Sequence, residues 1–203
     1  QRCTFDRDVG QLTNHRLYDL EISNDGMKML AVTRNAKANA DDDHAYVLSL
    51  TSPYDISSCQ RSSTTTDIDS DAFLLGSNAG RTTEPAKNRL EGIEINEDGS
   101  KLFLLFMDNT ASDGVGGRIY EFNLSTPFDL SSSSISLVLD AGIILSEDTS
   151  TGVHGPASIR FSANGKRLFV TSHAPGATKR ITQISLTNAY DTSSFVIDGS
   201  YDL

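Results

Sequence analysis

The sequence predicts an all-β fold made of three four-stranded antiparallel repeats, the blades of a propeller whose ring is incomplete within this chain. Three observations carry that reading. An alternating apolar and polar pattern recurs three times, and each copy runs into an Asp-Gly or Asn-Gly turn. A second shared turn then follows at a near-constant distance: Gly26 precedes Asp55 by 29 residues, Gly99 precedes Asp129 by 30, and Gly165 precedes Asp191 by 26.

The first strand of each unit ends at its turn. Leu20, Ile93 and Ile159 fall in register, as do Ile22, Ile95 and Phe161, and the turns are Asp25-Gly26, Asp98-Gly99 and Asn164-Gly165. Glycine suits such a turn because it takes a positive φ without steric cost. The second strands are residues 28–32, 101–105 and 167–171. Residues 46–50, 120–124 and 183–186 form the third strands. These lead into Pro53-Tyr54-Asp55, Pro127-Phe128-Asp129 and Ala189-Tyr190-Asp191, where proline presets φ and aspartate bonds backbone N–H groups. A fourth strand is clear at 135–139 and 195–198 and weak at 59–66. Four short antiparallel strands per unit make a propeller blade. The divisions are an N-terminal strand or extension (1–11) and repeats at 12–86, 87–152 and 153–203.

The pairing of an S/N-x-D/N-G turn, a following L-F-V-type strand and a later S-T-P-F/Y-D turn resembles the propeller repeats of marine phage virion proteins and related bacterial surface proteins. Its first half is also similar to YVTN-type surface-layer propellers. The resemblance covers the chain from about residue 12 and implies architecture, because propellers host enzymes, receptors and scaffolds alike. It also implies that the two kinds of short turn share one face. The longer segments, residues 34–45, 60–86, 107–118, 141–152 and 173–180, then share the other, and binding is expected there.

Three blades do not close a ring, for which four to eight are typical. The chain is therefore expected to belong to a longer one, to pair into a six-bladed ring, or to stack into a larger assembly. A self-association or surface-assembly protein, or a glycan, is the expected partner. Net charge is −10, from 27 acidic and 17 basic residues, and no cluster of Lys and Arg is visible. That argues against nucleic acid and anionic membranes, and no apolar run reaches the roughly 20 residues of a membrane helix. Ser and Thr, 26 and 18 residues, make up more than a fifth of the chain, a composition suited to hydroxyl-rich turns. Cys3 and Cys59 allow one disulfide in a secreted protein or two buried thiols in a cytosolic one. A chain opening on Gln1 is expected to be processed or an excerpt, which tilts the reading toward the bridge and an extracellular, cell-surface or virion location.

Candidate ligand-binding positions come from the repeat alignment. His15, Asn88 and His154 stand eleven residues before the turn glycine, followed by Arg16 and Arg89, with Asp19 and Glu91 close by. By the resemblance these lie where the chain enters the innermost strand, near the ring axis. There they bind a small anion or metal, or cap backbone carbonyls at the blade junction. Asp67, Asp69 and Asp71 alternate like the opening of a calcium loop, but Ala72 and Asn78 replace the Gly and Glu of an EF-hand. Calcium bridging them to Asp41, Asp42 and Asp43 is set against a merely solvated acidic loop. No other cofactor is expected.

A nucleophilic site is hard to assemble. Adjacent Ser172 and His173 point to opposite faces of a strand, and the Gly114–Gly117 run reads as a hairpin loop and opens no helix. Asn123-Leu124-Ser125 matches a glycosylation acceptor. The leading expectation is thus a non-enzymatic structural or adhesive propeller. The alternative is a metal-dependent, lactonase-like hydrolase using His15, Asn88, Glu91 and His154.

Overall fold

A computed structural model describes residues 15–35, 44–61, 88–108, 115–130, 135–137, 143–146, 155–173 and 179–203. It contains three antiparallel sheets. Blade 1 is β1 (His15–Ile22), β2 (Lys28–Asn35), β3 (His44–Leu50) and β4 (Cys59–Arg61), in that order. Blade 2 is β5 (Asn88–Ile95), β6 (Lys101–Asp108), β7 (Val115–Leu124) and β8 (Ile135–Leu137), with β9 (Ile143–Ser146) also on β7. Blade 3 is β10 (Gly155–Phe161), β11 (Arg167–His173), β12 (Arg180–Leu186) and β13 (Phe195–Asp202).

Two sequence expectations need correction. Ile143–Ser146, expected in a loop, pairs with the upper half of β7, where Arg118 faces Ile144 and Ile119 faces Ile143. Val115, Gly116 and Gly117, expected in a hairpin loop, open β7 itself, and Gly117 faces Met107. The physical reason is shared: β7 runs past its short outer partner β8, and the remaining edge groups need another strand to satisfy them. Ile143-Ile144-Leu145 has the apolar character to supply it.

The repeat signatures are one structural device. The N–H groups of Tyr54, Phe128 and Tyr190 donate to the carbonyls of Gly26, Gly99 and Gly165 at 2.9, 3.0 and 2.9 Å. Each aromatic ring lies on its glycine, whose φ is 69°, 75° and 66° respectively. The two turns therefore pack on the same face of the blade.

Each inner strand also carries a bulge at one position, between Leu17 and Asp19, Leu90 and Gly92, and Pro156 and Ser158. A bulge adds one residue and re-aims the side chains beyond it. Tyr18, Glu91 and Ala157 are the inserted residues, and the chain beyond them is directed to the junction of the three blades.

The core sits between blades. Leu30, Val32 and Ala45 of blade 1 pack on Leu90, Ile93, Leu104 and Tyr120 of blade 2, with Leu130 at the turn. On its opposite face blade 2 presents Phe103, Leu105 and Ile119 to Ile159, Leu168, Val170 and Ile184 of blade 3. Burial at roughly 25 cal/mol per Å² makes these two junctions the main hydrophobic stabilisation of the molecule. A polar lock reinforces the second. Glu121, fully buried, accepts from Lys101 Nζ at 2.5 Å and, from blade 3, Thr192 N at 2.7 Å and Thr192 Oγ1 at 2.8 Å. Lys101 Nζ also donates to Tyr190 O at 2.7 Å.

Candidate functional site at the junction of the inner strands

Five residues before each turn glycine stand Glu21, Glu94 and Arg160, one on each inner strand. Alternation on a strand sends these equivalent positions to the same side, so the repeat gathers them at one level. Arg160 reaches both other blades. Its Nη2 bonds Asp19 Oδ1 at 3.1 Å and Leu20 O at 3.3 Å, and lies 3.7 Å from Glu21 Oε2. Its Nη1 lies 3.1 Å from Glu94 Oε2, 3.3 Å from Ile93 O, 3.4 Å from Asp19 Oδ2 and 2.8 Å from Ile159 O. The carboxylates take further backbone donors: Glu94 Oε1 accepts from Phe161 N at 3.1 Å and Asp19 Oδ2 from Ile93 N at 3.2 Å. One guanidinium thus binds three strands together.

Above this cluster opens a cavity of about 380 Å³, lined by Glu21, Asn24, Glu94, Asn96, Arg160 and Tyr190 among others. Its volume lies in the range of small-molecule sites. Phe161 and Tyr190 form one wall, with ring centroids 5.0 Å apart. Burial is the main reason the Glu94 carboxyl is pushed up to about 7; the Phe161 N–H and Arg160 pull it down, and Glu21 and Asp19 push it up. Burial likewise raises Glu21, with Arg160 opposing. Burial works against the Arg160 charge, yet the hydrogen bond and charge of Asp19, with Glu94 and Glu21 behind, leave its pKa raised. A carboxyl that exchanges its proton near neutrality within a cavity is suited to proton transfer or to a cationic ligand.

The candidate positions taken from the sequence are distributed differently. His15 and Asn88 are the first residues of β1 and β5, paired with Asn35 and Asp108. They lie some six residues from Glu21 and Glu94, roughly 20 Å along the strand. Arg16 is exposed and faces Arg34, and Arg89 faces Met107. Glu91 is buried at the bulge of β5. Asp19 joins the cluster, paired with Arg160 at 3.1 Å. His154, Cys3, Asp41, Asp42, Asp43, Asp67, Asp69 and Asp71 lie outside the described residues. Cys59 is buried and faces Leu50. Among the described residues, no group of three His, Cys, Asp or Glu is arranged to hold a metal ion.

The cavity lies among the Asp-Gly and Asn-Gly turns, with Asn24, Asn96 and Ala163 in its lining; the long segments where binding was expected fall largely outside the described residues. Glu21, Glu94 and Arg160 stand at a repeat position six residues nearer the turn glycine than the His15, Asn88 and His154 position that the repeat first points to. Their common register was the available signal.

No family model matches the chain, and no curated protein matches it. Among solved structures the chain is similar to a candidate 6-phosphogluconolactonase from Bacteroides uniformis, with a TM-score of 0.50 and 12% identity. That likeness covers 100% of this chain and 46% of the other, so the chain spans less than half the length of that protein. It is also similar to the Cps50 (Swd1) β-propeller domain of Myceliophteria thermophila, with a TM-score of 0.40 and 10% identity, over 92% of this chain and 58% of that one. At such identities the likeness concerns the fold alone. The described residues are all-β and form three propeller blades, which among themselves do not close a ring.

Proposed function

We propose that the chain is a non-enzymatic propeller segment serving structural assembly or recognition, at an extracellular, cell-surface or virion location. One observation carries the reading. Blades 1 and 2 each bury a face against the next blade, through Leu30, Val32 and Ala45 and through Phe103, Leu105 and Ile119. The corresponding face of blade 3 leaves Phe169, Ile181 and Gln183 only half-buried, with Thr171 exposed. Val196 and Tyr201, facing Ser185 and Ile181, are 64% and 62% exposed on the same side. Such a face suits a further blade, from a second copy or from a longer chain, or another protein surface. The glycan alternative, and calcium set against a merely solvated acidic loop at Asp41, Asp43, Asp67, Asp69 and Asp71, fall on segments outside the described residues. The Cys3–Cys59 bridge belongs with a secreted protein, and Cys59 is not a free thiol.

Light scattering across a dilution series tests the assembly. A mass above 21.9 kDa that falls back to the monomer in Val196→Asp supports self-association through blade 3. A monomer at every concentration removes self-association.

Glu94 supports a second reading, a lactonase-like hydrolase in which this carboxyl acts as general base. Hydrolysis of a sugar lactone, with and without added divalent cation, tests it; turnover that persists in Glu94→Gln removes that role.

A further inference from the structure

We infer that the cluster at the inner strands is a proton-operated clasp: one proton taken up by Glu94 transfers Arg160 from a grip shared between blades 1 and 2 to a grip on blade 1. Nη1 of Arg160 carries two hydrogens and has four acceptors within 3.4 Å, namely Glu94 Oε2, Ile93 O, Asp19 Oδ2 and Ile159 O. Nη2 carries two more, which Asp19 Oδ1 and Leu20 O take, with Glu21 Oε2 waiting at 3.7 Å. The guanidinium is oversubscribed, so its grip is a competition between two blades.

Charge points the same way. Asp19, Glu21 and Glu94 surround one cation, an excess of two negative charges when all are ionised. The groups facing Glu94 are Asp19 and Glu21 of β1, Arg160 of β10, Tyr190 of the turn after β12, and Glu97 of the turn after its own strand. Only Arg160 among them is cationic. A proton entering from the cavity and forming an O–H bond on Glu94 Oε2 removes one negative charge and turns an acceptor into a donor. Nη1 then has Asp19 as its remaining anionic partner, and Glu21 lies within reach of Nη2. Blades 1 and 3 are drawn together at the mouth of the cavity, and the link from Arg160 to blade 2 is reduced to the Ile93 carbonyl.

Two backbone amides report the two halves of the clasp. Phe161 N–H bonds Glu94 Oε1, and Ile93 N–H bonds Asp19 Oδ2. Their resonances are followed from pH 5 to pH 9 in the wild type and in Glu94→Gln. The expected result is a one-proton transition of both amides with a common midpoint near 7, abolished for both in the variant. A transition at Phe161 with a silent Ile93 overturns the clasp, because protonation is then local and Arg160 does not move. Flat profiles at both amides overturn it as well. The common midpoint is read in the wild type alone, so the test survives a variant that folds poorly.

Discussion

The ring of Phe128 lies over Gly99 so closely that a β-carbon built on the glycine falls 2.2 Å from Phe128 Cε2. Gly26 with Tyr54 and Gly165 with Tyr190 repeat the relationship at 2.5 and 2.2 Å. The two motifs most visible in the sequence are therefore one contact, with the glycine and the aromatic residue each at positive φ.

Gly99→Ala meets both a left-handed backbone and an occupied space. The backbone costs about 1–2 kcal/mol and overpacking a further 1–3 kcal/mol. Urea denaturation is expected to show a loss of about 2–5 kcal/mol. Phe128→Ala opens the space but removes the packing that holds the turn, so the double variant should cost less than the sum.

Glu121 and Lys101 are unequal partners. Glu121 has 1% of its side chain exposed and Lys101 27%. Lys101→Met leaves a buried carboxylate with only Thr192 for support and is expected to cost about 3–5 kcal/mol. Glu121→Leu leaves a lysine that still reaches solvent and Tyr190 O, and should cost about 1–3 kcal/mol, mostly from the lost acceptor of Thr192 N–H. Denaturant midpoints for both variants and their combination check that order.

Glu94 makes stability depend on pH in the sense opposite to an ordinary salt-bridged carboxylate. Its folded pKa of about 7 lies above the ordinary 4.5, so the folded state binds the proton more tightly than the unfolded one. Its stabilising contribution is fully present below about 4.5 and is lost as pH rises through 7. The difference is on the order of 3 kcal/mol. Glu94→Gln should flatten this part of the stability profile between pH 5 and pH 8, measured by denaturation at fixed ionic strength. A profile unchanged by the substitution places the proton elsewhere.

The bridge is tested by thiol alkylation of the unreduced, denatured chain, which is expected to label neither Cys3 nor Cys59. Reduction should then cost about 4 kcal/mol by loop-closure entropy. Labelling of both residues removes the bridge.

The number of blades, their turns and most of their strands were legible in the sequence, because these depend on local alternation and on residues such as Gly26, Gly99 and Gly165 that a turn requires. So was the shared face of the two turn types. β9 was not legible: a four-residue apolar stretch becomes a strand only because β7 outruns β8, a fact about lengths in space. The candidate site was legible in register but not in partners. Glu21, Glu94 and Arg160 stand at one repeat position, yet Asp19 turns to Arg160, 141 residues away, because a bulge re-aims β1 and the blades meet at their inner edges. Periodicity alone determines what each strand is. Which charges meet, and which carboxyl is left over, is decided by the packing of blade on blade, since electrostatic partners are set by distance in space.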